Sequence, residues 1–206
     1  MITLYYSPNS CAMSEHIVLE WLGVPYEAVQ VQIGSDEYRK IAPKWAVPAM
    51  RDGNGEVMTQ NDALLKYLVK KYPDADLWSD GTIEWDYKLN NALAVVNGDL
   101  HPAFWSVFVP HLYTTETDDA SIAAAKEASY ARIERQMNYL NEHLADNKYM
   151  LGDKRSVADA YVFTVLRWSF MIPKTVMEYP NLKKFFDLMM EDESIQKIVK
   201  IHNPEK

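Results

Sequence analysis

A single thiol occurs in the 206 residues of this chain. Cys11 sits in the stretch YYSPNSCAMSEHIVLEW, residues 5 to 21, between an apolar segment and an amphipathic one. If a helix begins at that point, its unpaired first-turn N–H groups and the positive end of its dipole favour an anion, and a thiolate held there has a lowered pKa and is the reactive form. A lone cysteine also fits a small buried apolar spacer. Further along, His101 precedes Pro102 on a helical segment, where a histidine either carries protons or packs. Val47-Pro48 opens a strand; a cis bond there would expose the Val47 backbone to an extended peptide beside Cys11. Gln60-Asn61 starts a helix and offers either carboxylate donors or plain capping. Ser156-Val157-Ala158-Asp159 is a capping box with Asp in place of Glu, and its expected role is helix initiation. No CxxC, HExxH, GxSxG or glycine-rich phosphate loop is present, and the histidines at 16, 101, 111, 143 and 202 lack metal-ligand spacing, so no metal site is expected.

The elements that must position these residues follow from periodicity. Ile2 to Tyr6 are β-branched and aromatic and stop at Ser7-Pro8, which predicts a short strand and a sharp turn. Met13, Ile17 and Trp21, with Val18 and Leu22, share a helix face that Gly23 closes. Val29, Val31 and Ile33 alternate with glutamines and predict a second strand, parallel to the first because a helix separates them. A third strand begins near Val47-Pro48, Asp52-Gly53-Asn54-Gly55 turns a hairpin, and Glu56 to Thr59 pairs back. The next helix starts at Asn61-Asp62, buries Leu64, Leu65 and Leu68, and ends before Tyr72-Pro73. After the polar connector from residue 74 nothing reads as a strand. One long helical period runs through Trp85, Leu89, Leu93, Val96, Leu100 and Phe104, another through Ile133, Met137, Leu140 and Leu144, and two more helices span Val157 to Trp168 and Leu182 to Met189.

Composition narrows the setting. With 48% hydrophobic residues the chain can bury a sizeable core. Acidic residues number 29 against 21 basic, a net charge of -8 that disfavours nucleic acid and anionic lipid as partners. The lone cysteine and an opening, MITLYYSPNS, without a basic region or an apolar run point to a reducing, cytoplasmic protein. Every apolar run breaks before the roughly 20 residues that span a bilayer.

Taken together, LYYSPNSCAMSEHIVLE, APKWAVPAM, TQNDALLKYL, DLHPAFW and LGDKRSVADAYVFTVLRW resemble a bacterial glutathione S-transferase, most like the beta class, along nearly the whole chain. The resemblance implies an α/β thioredoxin-like N-terminal domain (1-76) that binds glutathione, an all-α C-terminal domain (84-206) carrying the second-substrate site, and a homodimer. It implies a detoxifying transferase or thiol-disulfide reductase with glutathione as substrate and a small electrophile as partner. Carried over by position, Cys11 faces the glutathione sulfur, Tyr6 and Ser10 flank it, and Val47 before a cis-Pro48 pairs with the cysteinyl backbone. Gln60 and Asn61 hold the γ-glutamyl amine and carboxylate, and His101 reaches the site from the helical domain. Ala94 and Pro102 depart from the family's usual Asn and Lys. The loop IGSDEYRK lacks the early cations that meet the glycyl carboxylate, for which Arg39, Lys40 or Lys44 are the substitutes. These departures keep open an alternative, a non-catalytic binding or regulatory protein on the same scaffold. The zeta class is disfavoured, because Ala12-Met13-Ser14 follows Cys11 where that class carries an Arg-containing run.

Overall fold

The computed structural model of the chain describes residues 1–42, 44–78 and 80–203; Pro43, in the loop before Val47, lies outside them. The order is β1 (Ile2–Tyr6), α1 (Met13–Leu22), β2 (Tyr26–Gln30), α2 (Asp36–Ile41), β3 (Ala49–Asp52), β4 (Val57–Thr59) and α3 (Asn61–Lys71), and then helices alone. The sheet order is β2-β1-β3-β4, with β1 parallel to β2 and antiparallel to β3, and β3 and β4 forming the hairpin. This is the thioredoxin-like arrangement, followed by a helical C-terminal half. α1 ends as expected on Gly23, whose φ of 62° suits a residue without a Cβ.

The helical half comprises α4 (Ile83–Val95), a π-helical turn (Val96–Leu100), the short α5 (His101–Ala103) and α6 (Trp105–Phe108), α7 (Asp119–Glu127), α8 (Tyr130–His143), α9 (Val157–Leu166), α10 (Pro180–Met190) and α11 (Glu193–His202). α9, VADAYVFTVL, is apolar on every side, and all ten of its residues are buried. Such a helix must sit in the middle. It packs on α1 and α3 of the first half and on α4 and α10 of the second, so the two halves share one hydrophobic core.

Four sequence expectations need correction. The second strand lies earlier, at Tyr26–Gln30, because its parallel register with Ile2 to Tyr6 sets its length; Val31 adds one bond to the Tyr6 carbonyl and Ile33 is exposed. The loop IGSDEYRK contains α2, which Ser35 caps by accepting from the Tyr38 N–H and which buries Tyr38 under the sheet. The helix through Trp85 to Phe104 is interrupted: Pro102 cannot donate to the turn before it and its ring crowds that turn, and the chain widens into the π turn immediately upstream. α9 stops at Leu166 and tightens into a 3₁₀ turn, Arg167–Met171. α7 and α11 lacked a clear period in the sequence; α7 buries no residue, and α11 buries only Ile195, Ile198 and His202.

Candidate active site

β1 delivers the chain into Ser7-Pro8-Asn9-Ser10, a turn closed by Ser10, whose Oγ donates to the Ser7 carbonyl at 2.6 Å. α1 begins at Met13, with Ala12 as an N-cap that has no capping side chain. Cys11 therefore precedes the helix rather than occupying its first turn. Its Sγ–H donates to the Val47 carbonyl at 3.3 Å, and the residue is 8% exposed. Burial pushes the thiol up to about 12, with Glu15 beside it adding to the rise and Asn61 opposing it. The lowered pKa expected of a helix start is thus reversed: loss of solvent around the sulfur outweighs what the helix end supplies. The Val47–Pro48 bond is cis, as expected, and leads into β3.

Beneath Cys11 lies a buried polar knot. The Cys11 carbonyl accepts from Ser14 Oγ at 2.8 Å and from Asn61 Nδ2 at 3.0 Å. Asn61 Nδ2 also lies 3.3 Å from Glu15 Oε2, which is 3.1 Å from Ser14 Oγ. Glu15 is fully buried, and its Oε1 has no partner among the described residues. Burial, and the nearby Asp62, hold its carboxyl well above the ordinary carboxylate range. Sequence reasoning missed Glu15, since a glutamate in a first helical turn reads as solvated. The Asn61 carboxamide, expected to face a ligand, is spent on α1. Gln60 is exposed, directly before α3, at φ 80°, a costly conformation for a side-chain-bearing residue.

From the helical half, His101 follows the π turn. Its Nδ1 lies 2.7 Å from the Tyr161 hydroxyl, which donates to Asn97 Oδ1 at 3.0 Å. The His101 ring stacks on Trp105 at 6.2 Å and meets the Trp168 ring edge-on at 4.8 Å. Trp168 Nε1 donates to the Asn9 carbonyl at 2.9 Å, and Arg167 reaches Met13 Sδ at 3.0 Å. The structure thereby brings His101 to the Cys11 turn through Trp168. Burial pulls the imidazole down to about 4, leaving it neutral. Phe108 also edges Trp168, and Trp105, Phe108 and Tyr113 remain exposed around this wall. Tyr6 differs from expectation, because its ring lies 5.4 Å from His16 and 4.9 Å from His202 in the seam between α1 and α11. His16 Nδ1 and His202 Nε2 are 3.2 Å apart, and burial lowers both, to about 4 and about 3. Among the described residues no group of three or more His, Cys, Asp or Glu could hold a metal ion, and no helix is long and apolar enough to cross a membrane.

The model of the glutathione S-transferase N-terminal domain matches residues 2–76, and that of the glutathione S-transferase C-terminal domain matches residues 100–193. The chain is 32% identical over 196 residues to glutathione S-transferase GST-4.5 of Xanthomonas campestris pv. campestris, covering 94% of this chain and 95% of that protein. This chain belongs to the glutathione S-transferase family. Among solved structures, the beta class glutathione S-transferase of Sphingomonas chungbukensis superposes with a TM-score of 0.84 at 30% identity, over 97% of this chain and 98% of that one. A sphingomonad glutathione S-transferase complexed with glutathione superposes with a TM-score of 0.85 at 26% identity, over 98% of this chain and 100% of that one.

Proposed function

We propose that the protein is a glutathione-dependent transferase or thiol-disulfide reductase, working on small electrophiles or glutathione mixed disulfides. The observation that carries this reading is the Cys11 Sγ–H resting on the Val47 carbonyl. An extended peptide pairing with Val47 brings its own N–H to that carbonyl and frees the sulfur beside the peptide's cysteine. The γ-glutamyl end then meets Gln60 and the free backbone N–H groups that open α3. Arg39, whose guanidinium stacks on Trp45 at 3.7 Å in the segment leading to Val47, is the cation for the glycyl carboxylate. We assign residues 1–76 to this glutathione-binding role and 84–206 to the second substrate. The chain works as a cytoplasmic homodimer, which light scattering checks as twice the 23.8 kDa chain mass.

In conjugation, the glutathione thiol gives its proton to His101 Nε2, sulfur bonds to the electrophilic carbon, and the leaving group departs with its electron pair. In disulfide exchange, deprotonated Cys11 attacks the glutathione sulfur of a mixed disulfide and releases the other thiolate, which takes up the proton. A second glutathione then regenerates Cys11 and leaves as oxidised glutathione. Incubating the protein with oxidised glutathione and weighing it intact tests the assignment. One glutathionyl adduct that dithiothreitol removes and that Cys11→Ser lacks is the expected result. No adduct on the native chain overturns the exchange step. The raised Cys11 pKa favours one second reading, a glutathione-binding protein without turnover. Glutathione binding with no conjugation of a chlorodinitrobenzene and no reduction of a mixed disulfide would select it.

A further inference from the structure

The geometry points to Asn97 and Tyr161 as positioning residues that fix which nitrogen of His101 carries the proton, leaving Nε2 as the open acceptor. This rests on the reading of His101 as a proton acceptor given above. A tyrosine hydroxyl has one proton to donate, and a carboxamide oxygen can only accept. Tyr161 donates to Asn97 Oδ1 at 3.0 Å. Its oxygen must then accept from His101, 2.7 Å away, so Nδ1 bears the hydrogen and the lone pair lies on Nε2. Nε2 has no partner among the described residues, and the half-buried ring is clamped between Trp105 and Trp168.

The chain of three groups holds position and does not pass protons onward. Tyr161 is completely buried, and burial first, with Cys11, Glu15 and Asp62 adding to it, raises its hydroxyl far above the usual phenol range. The hydroxyl therefore keeps its proton, and the direction of both bonds is decided at their far end, by Asn97. Asn97 stands in the π turn whose last residue precedes His101, so one irregular stretch of backbone presents both groups to Tyr161 on α9. π turns recur at functional sites. Here the cause is Pro102, one residue beyond the histidine, whose missing N–H and bulky ring prevent a regular α turn. Burial lowers the His101 pKa, and Asp99, the charged residue of the same π turn, is exposed. A carboxylate placed at position 97 would put a charge one hydrogen bond from Tyr161 and two from His101.

Nitrogen-15 NMR of the whole protein, histidine-labelled, reads the tautomer without reference to activity. The expected native spectrum shows His101 with a protonated Nδ1 and an unprotonated Nε2. In Asn97→Leu the Tyr161 proton is free to turn to Nδ1, so the tautomer should invert and kcat/KM for conjugation should fall about tenfold, with KM for glutathione nearly unchanged. Asn97→Asp, which still only accepts, should restore the native tautomer and raise the acid limb of the kcat/KM pH profile by about one unit. Tyr161→Phe removes both bonds and should give a mixed tautomer population. Protonated Nε2 in the native protein, or an unchanged tautomer in Asn97→Leu, would overturn the assignment. A tautomer that inverts in Asn97→Leu while turnover stays at the native level would support the positioning role and instead overturn His101 as the proton acceptor.

Discussion

Two carboxyls occupy the same place in two helices and have opposite surroundings. Glu15 and Asp159 are each the third residue of a helix, α1 and α9, and each is fully buried. Asp159 is surrounded by donors: its Oδ2 accepts from the Ser156 N–H at 2.7 Å and from Ser156 Oγ at 3.0 Å, and its Oδ1 from the Met150 N–H at 2.7 Å. Burial lifts it only to about 6. Glu15 follows Ala12, which supplies no capping oxygen, and one of its own oxygens is unpaired. Burial holds its carboxyl well above the carboxylate range. The donors around each carboxyl make the difference: two backbone N–H groups and one hydroxyl meet Asp159, whereas only Oε2 of Glu15 is met, by Ser14 and Asn61. Ser156 and Asp159 complete a box, and Asp159 also ties α9 to the Met150 loop, whereas Ala12 leaves Glu15 without such a box under the Cys11 turn. A buried carboxyl with all its donors stabilises a fold, and one without them tunes its neighbours instead.

The sharpest way to break this contrast is to remove each carboxyl. Asp159→Ala leaves three buried donors without an acceptor and should cost about 3 kcal/mol, above the roughly 0.5–2 kcal/mol of an ordinary cap. Urea unfolding midpoints measure it, and glutathione affinity of the folded protein should hold. A loss of affinity at unchanged stability would move Asp159 from the scaffold into the site.

A smaller effect should follow pH. The folded-state pKa of Asp159, about 6, lies above its unfolded value, so the folded chain binds this proton more tightly. Its contribution is fully present below about pH 4 and is lost as pH rises through 6, about 3 kcal/mol in all, of which about 2 kcal/mol goes between pH 4 and pH 6. Unfolding free energies of the native protein relative to Asp159→Asn should therefore decline between pH 4 and pH 6. A flat difference would mean that the carboxyl ionises in the folded chain as it does in the unfolded one.

Glu15→Gln should change stability by less than about 1 kcal/mol, since a carboxamide of the same shape keeps the contacts to Ser14 and Asn61. The same variant should lower the pH at which Cys11 reacts with iodoacetamide, because Glu15 is one of the causes that raise the thiol. An alkylation profile identical to the native one would cut the link between knot and thiol. A stability loss as large as that of Asp159→Ala would make the two carboxyls equivalent.

How far each feature could be read in advance depended on how local its cause is. Gly23, the turn at Asp52 to Gly55 and the Ser156 box are set by residues a few positions apart, and each appears where the sequence placed it. β2 moved to Tyr26–Gln30 because a parallel partner, absent from any local window, fixes its register. α2 was hidden because six residues are too few to show a helical period. Residue types and the family resemblance singled out Cys11, Val47, Gln60, Asn61 and His101 as candidates, but side-chain direction did not follow: Asn61 turned under α1 and Tyr6 turned to His16 and His202.

By itself the sequence determined the β-α-β and β-β-α order of the sheet and its two longer helices, the change from a mixed sheet to helices after residue 74, and which few residues are candidates for chemistry, because periodicity, turn residues and rare side-chain types are local properties. Only the tertiary structure decided the protonation of Cys11, the orphaned Glu15 oxygen and the Asn97–Tyr161–His101 chain. Each depends on desolvation and on partners 36 to 64 positions away in the chain, or on a burial that only the packed core imposes.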